Sequence, residues 1–219
     1  MNKVKVAILI TLLFSCNALF AHDVVGELEK MSKTDAAILY LQLGFKHIIP
    51  LGFDHILFVL SLFLISPKLK PVLYQATAFT IAHSITLGLA MFNVITPSAA
   101  IVEPIIAISI AYVALENIFS PTFKKSRIAI VFLFGLVHGM GFANALGALG
   151  LPEKSYLTSL VMFNVGVELA QVAIILTAWF LVGKWFAQKE WYHKRIVKPM
   201  SILIAIIAIY WTVERIFFS

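Results

Sequence analysis

Polar and apolar positions along this chain fall into long blocks. Six apolar stretches span roughly residues 36–65, 71–94, 98–119, 128–149, 156–182 and 196–218, with Pro67, Pro71, Pro97, Pro121, Pro152 and Gly183 at their borders. Each is near or above the ~20 residues a helix needs to cross hydrocarbon. The pattern predicts an all-α membrane protein with six transmembrane helices in one domain, 35–219. Pro50 and Gly52 interrupt the first stretch. A kink is expected there, because proline removes a backbone donor and glycine loosens the chain. Thr34 or Asp35 is the expected cap of a helix starting at Ala36.

The amino-terminal block reads differently. Lys3 and Lys5 precede a short apolar run, Val6 to Phe14, and Ala18-Leu19-Phe20-Ala21 offers a cleavage site after Ala21. Residues 1–21 are therefore expected to be a signal peptide. A lipoprotein box at Leu13-Phe14-Ser15-Cys16 and an uncleaved first helix are the competing readings. Residues 22–34 form a polar tail of mixed charge, expected in the periplasm. Cleavage after Ala21 would make His22 the mature N-terminus, where amine and imidazole could chelate a metal together; a solvated tail histidine is the plainer reading.

Composition sharpens the class. The 219 residues are 61% hydrophobic and 13% charged, with a mean hydropathy of +0.95. A soluble domain is about 25% charged, so that class is excluded. The net charge of +6 is no sign of nucleic-acid binding, because the basic residues lie in short loops. Lys68 and Lys70, then Lys124, Lys125 and Arg127, then Lys184, Lys189, Lys194, Arg195 and Lys198 occupy alternate loops. The loops between them carry only Lys154. The positive-inside rule places the basic loops in the cytoplasm and both mature termini outside. Cys16 is the only cysteine and lies in the expected signal peptide, which excludes a disulfide framework and a thiolate metal site.

Against this background, the ionisable groups within the spans stand out. They are His47, Asp54, His55, His83, Glu103, His138 and Glu168. Such groups are expensive in hydrocarbon and tend to face a protein interior and be used. His47 and Asp54 are seven residues apart, a spacing that would place them on one face of a continuous helix. Thr80 and Thr86 flank His83 at i−3 and i+3, where their hydroxyls are expected to hold the imidazole tautomer. Gly135 and Gly139 flank His138 in a small-xxx-small pattern that allows close helix approach. Asn164, Glu168 and Gln171 form one polar stripe on the fifth span. A slight repeat is visible: spans two and four each carry a histidine among small or hydroxyl residues, and spans three and five each carry one deep glutamate. Each group has a bland alternative: Asp54 as a cap, His83 as an interhelical hydrogen bond, His138 as a bystander in a packing seam. Glu116 and Asn117 are expected to pair with Lys124 or cap their helix, and His193 to be solvated. Trp185, Trp191, Tyr192, Tyr210 and Trp211 are expected in interfacial belts.

The stretches 44–58, 80–87, Val102-Glu103 with Ile108-Ser109-Ile110, 134–143 and 163–171 resemble the HupE/UreJ family of bacterial membrane proteins, closest to its second branch. The resemblance covers most of residues 44–171 and implies a polytopic inner-membrane protein linked to nickel, as a permease or accessory factor. The reading taken forward is a permease or metal-binding accessory protein for a divalent transition metal: nickel, zinc, cobalt or copper. His47, Asp54, His55, His83, His138 and Glu168 would be ligands, with Glu103, Asn164, Gln171, Thr80 and Thr86 supporting them. Imidazole-rich sets favour these metals over magnesium or calcium. The expected partners are the ion and the bilayer, and a homo-oligomer stays open. The rival is an intramembrane zinc hydrolase, in which Ser84 would matter.

Overall fold

The computed structural model describes residues 30–218 apart from 66, 97 and 121. The expected signal peptide, most of the polar tail, Cys16 and His22 lie outside the described residues. Within them the chain is helical throughout, with no strand. Helix α1 runs Lys33–Ile48, α2 Phe53–Ile65, α3 Leu69–Met91, α4 Ala99–Phe119 and α5 Arg127–Leu149. Helix α6 runs Tyr156–Phe186, with a π-helical turn at Trp179–Gly183, and α7 runs His193–Phe217.

Four of these helices, α4 to α7, are long and apolar enough to cross a membrane. A fifth crossing is obtained if α1 and α2 count together as one bent span. At 23 residues α3 is as long as α5, about 35 Å, but it is less apolar. Gln75, Thr77, Thr80, His83, Ser84 and Thr86 all lie along it, which is the price of carrying site residues.

The first apolar stretch departs most from expectation. It is not one kinked helix but two, meeting at 71°. Pro50 can donate no hydrogen bond, and the chain closes the corner with Leu51 N–H donating to the Lys46 carbonyl (3.3 Å) and Gly52 N–H to that of Ile48 (3.0 Å). The Ile49–Pro50 peptide bond is cis. A side chain at Gly52 would overlap the His47 carbonyl, so the corner admits no larger residue there. The cap of α1 also differs: Ser32 accepts from the Asp35 amide at 3.1 Å, and the helix begins at Lys33, ahead of the expected Ala36.

The helices assemble as closely packed pairs: α1 on α6, α3 on α5, and α4 on α7. Helix α2 lies among them, touching α3, α4, α6 and α7. Glycines let the pairs approach. A methyl group on Gly44 would overlap the Phe163 backbone and one on Gly166 the Leu41 carbonyl, across the α1–α6 contact. Gly135 and Gly139 meet the backbones of Phe79 and His83 across α3–α5, so the expected small-residue seam is present and faces the other histidine-bearing helix. Two apolar clusters result. One centres on Phe58, Leu62, Phe63, Phe79 and Ile110, the other on Tyr40, Ile48, Leu87, Phe163 and Val167.

At the end of the bundle holding the α2 C-terminus, Arg127 is buried, 1% exposed. Its Nη1 donates to Asn117 Oδ1 (2.8 Å) and lies 3.1 Å from Glu116 Oε2, while Asn117 Nδ2 donates to the Ser61 carbonyl (2.8 Å). Arg127, not Lys124, is thus the partner of Glu116 and Asn117. A buried guanidinium needs several acceptors, which a loop lysine in water does not. His193 is half-buried, and its Nε2 donates to the Asn117 carbonyl at 3.0 Å, a partner the sequence did not suggest. Tyr192 is buried too, its hydroxyl donating to the Leu64 carbonyl at 3.3 Å, and so it does not belong to an interfacial belt.

Candidate metal centre

The corner between α1 and α2 brings together what the sequence separates. His47 leaves the last turn of α1 and His55 the first turn of α2, and their ring centroids are 4.7 Å apart. His83 comes in from α3, its ring 6.1 Å from each of them. One nitrogen from each of the three lies within 4.8 Å of the others. Two imidazole nitrogens on one tetrahedral metal sit roughly 3.4 Å apart, given metal–nitrogen bonds of about 2.1 Å. The group is therefore within a small side-chain movement of a common ion. His138, from α5, stands beside it with its ring 5.0 Å from that of His55.

The hydrogen bonds around these rings fix three tautomers. Asp54 Oδ1 lies 3.0 Å from His55 Nδ1 and also accepts from the His55 amide at 2.8 Å. A carboxylate accepts only, so Nδ1 carries the proton and Nε2 keeps a lone pair. Asn164 donates its amide to the Leu160 carbonyl (2.9 Å), which turns its oxygen toward His83 Nδ1 at 3.1 Å. His83 Nε2 is then the bare nitrogen. Ser109 spends its single proton on the Ile106 carbonyl (2.7 Å), so it accepts from His138 Nε2 at 3.0 Å and leaves His138 Nδ1 bare. These three nitrogens, and Nε2 of His47, are buried and have no hydrogen-bond partner. Orphaned buried nitrogens are costly unless something else takes the lone pair.

Aromatic side chains enclose the group. Phe142 lies tilted against His47 at 3.9 Å between centroids, and Phe163 lies at 5.7 Å from the same ring. Phe79 borders His55, His83 and His138, and Phe58 borders His138. Those phenylalanines come from both apolar clusters, so the imidazoles occupy the seam between the two. A cavity of about 500 Å³ leads to them. His47, Asp54, His55 and His138 line it together with Lys46, Glu103 and Arg215, of which Glu103 is exposed. The Arg215 guanidinium lies over Trp211 at 5.6 Å, and its Nη1 donates to the Glu103 carbonyl at 3.1 Å.

Not every expected residue reaches the histidines. Asp54 meets His55 Nδ1 and so orients an imidazole. Glu168 stands apart from the cluster, accepting from Thr77 at 2.7 Å with its second oxygen buried and unpartnered. Gln171 donates to Thr80 at 3.1 Å. Thr86 donates to the Leu136 carbonyl at 2.6 Å, tying α3 to α5. Neither threonine holds His83; Asn164 does, because at i±3 both hydroxyls are taken up by neighbouring helices. Glu103 lines the cavity but is exposed. The residues that sequence reasoning missed are Ser109, Thr77, Phe142 and Phe163. Buried hydroxyls in apolar helices commonly bond their own backbone, so Ser109 carried no distinguishing signal.

A family model described as HupE / UreJ protein matches residues 24–215. No curated protein and no solved structure matches the chain.

Proposed function

The chain belongs to the HupE/UreJ family, and from that premise we propose that it moves a divalent transition-metal ion through a bacterial inner membrane on the histidine cluster. The observation that carries this is the set of four buried imidazole nitrogens left without partners, three of them gathered within 4.8 Å. Asp54 on His55 Nδ1 is the carboxylate–histidine arrangement that orients a metal-binding ring and strengthens its lone pair. The donors are nitrogen, which suits nickel, zinc, cobalt or copper. The six-span topology of the sequence reading is kept, with α1 and α2 as one broken span and α3 as a polar-faced one. Non-helical backbone at membrane depth is tolerated where protein or a cavity surrounds it.

Transport is favoured over hydrolysis by what lies beyond His83. Asn164, Glu168 and Gln171 descend α6, and Thr80 and Thr77 descend α3 toward its N-terminus. They are joined by the His83–Asn164, Thr80–Gln171 and Thr77–Glu168 hydrogen bonds. Glu168 Oε2 and Gln171 Oε1 are buried oxygens without partners along this ladder, as is Gln75 Oε1 further along α3. A cation leaving the imidazoles would find acceptor oxygens for roughly 9 Å, the rise of six helical residues from His83 to Thr77, toward the basic loops. A hydrolase has less to work with. Ser84 donates to the Thr80 carbonyl at 2.6 Å, and Asp54, the carboxylate nearest the cluster, is engaged by His55.

Metal analysis of the purified protein is the direct test. About one equivalent of metal per chain is expected in wild type, falling at least tenfold in the His55→Ala, His138→Ala double variant. Wild type below a tenth of an equivalent, or full retention in the variant, overturns the site. Uptake into proteoliposomes with an entrapped metal indicator then separates a permease from an accessory factor that binds without flux.

A further inference from the structure

We propose that the end of the bundle around the α6–α7 hairpin is a binding surface for the headgroups of anionic phospholipids. This is independent of the metal-site reading. Internal contacts gather three loops at this end. Tyr192 and His193 reach the backbones of Leu64 on α2 and Asn117 on α4. Arg127, at the start of α5, reaches Asn117 and the Ser61 carbonyl. A methyl group on Gly183 would overlap Phe63 and touch the Pro67 carbonyl, so the loop between α2 and α3 lies against the hairpin too.

Charge on this surface has one sign. The hairpin, residues 184–198, exposes Lys184, Lys189, Lys194, Arg195 and Lys198. The neighbouring segments 67–70 and 122–127 expose four more lysines. Glu190 is the one exposed acid in these three segments. Glu116, close by, is already engaged by the buried Arg127. None of the exposed cations forms an ion pair with a described residue. Such a field draws in anions, and basic clusters at the ends of spans recruit anionic lipid.

The aromatic residues point to lipid over a soluble acidic protein. Lys70 lies over Tyr74 at 5.9 Å, Lys184 over Trp185 at 5.0 Å and Arg195 over Trp191 at 5.6 Å. Tyr74 and Trp185 are exposed, and Tyr74 lies more than a turn inside α3, below the loop tips. Exposed tyrosine and tryptophan at the ends of spans sit at headgroup level, with the ring body in lipid. Cations fixed beside such rings stand at the depth of lipid phosphates. The hairpin that exposes these cations also buries Tyr192 and Val197 and grips α2 and α4. Headgroups drawn to it therefore brace that junction.

The test uses the full-length protein in nanodiscs of phosphatidylcholine alone or mixed with phosphatidylglycerol. Lipid retained after detergent extraction, counted by mass spectrometry, should be enriched roughly threefold or more in phosphatidylglycerol over the mixture supplied. Thermal unfolding should come later in the mixture than in phosphatidylcholine, and added salt should erase the difference. The variant Lys184→Gln, Lys194→Gln, Arg195→Gln, Lys198→Gln should lose enrichment and stabilisation while unfolding like wild type in phosphatidylcholine. Lys33→Gln with Lys154→Gln, at the other end of the bundle, should keep both. Equal enrichment in wild type and the hairpin variant, or a salt-insensitive difference in wild type, overturns the proposal. No enrichment in wild type also overturns it, and leaves a soluble acidic protein as the partner that the charge would fit.

Discussion

Asp54 holds His55 through a single oxygen that accepts from both the ring and the backbone amide of the same residue. Asparagine could keep one acceptor there but not the negative charge that raises the basicity of the far nitrogen. Asp54→Asn is therefore expected to weaken nickel binding about 10–100-fold, the usual cost of losing such a partner; isothermal titration of purified protein measures it. The histidines were legible in the sequence for a simple reason. An ionisable group in hydrocarbon is costly, so its presence there already points to use. What holds each ring was not legible. Thr80 and Thr86 offer oxygen within helical reach of His83, whereas Ser109 and Asn164 lie on helices that carry no imidazole. Only the packing of α3 against α6, and of α4 against α5, decides that Asn164 and Ser109 are chosen.

Between helices, glycine decides how near the ligands come. A methyl group on Gly139 would overlap the His83 carbonyl and the Thr86 hydroxyl, so α3 and α5 would have to separate. Gly139→Ala should cost about 1–3 kcal/mol of stability, as overpacking of a close contact does, and should displace His83 from the cluster. Gly147, on the same helix, has nothing within 4 Å of its added carbon. Gly147→Ala should be neutral or gain up to about 1 kcal/mol, since alanine suits a helix better. Thermal unfolding of the two variants in detergent compares them. The four-residue spacing of Gly135 and Gly139 was enough to foresee the seam. The corner of α1 and α2 was foreseen only as a kink. Proline and glycine mark where a helix stops, but its new direction depends on what the second helix packs against. The seven-residue spacing of His47 and Asp54 consequently predicted a shared face that does not exist, although the break brings His47 and His55 closer than a straight helix would.

For the whole molecule, apolar blocks and loop charges were legible because the bilayer imposes both, and the family's match over residues 24–215 agrees with the membrane class they define. Span number was less so, since α3 trades apolarity for site residues. Single cysteines test the topology, using a background with Cys16 replaced. Lys154→Cys should react with an impermeant maleimide added to intact cells, and Lys125→Cys only after lysis. Since imidazole binds metal only when neutral, acid competes with the ion, and uptake into proteoliposomes should decline as the pH is lowered. The 71° corner has a mechanical meaning as well. His47 stands about 7 Å along α1 from Gly52, and Lys33 about 28 Å, taking 1.5 Å per residue. With the corner as fulcrum, α1 is a lever with an arm ratio of about four. Because Gly44 and Gly166 seat α1 against α6, the two helices would swing on this fulcrum together, and a 1 Å step of His47 toward an ion becomes about 4 Å at Lys33.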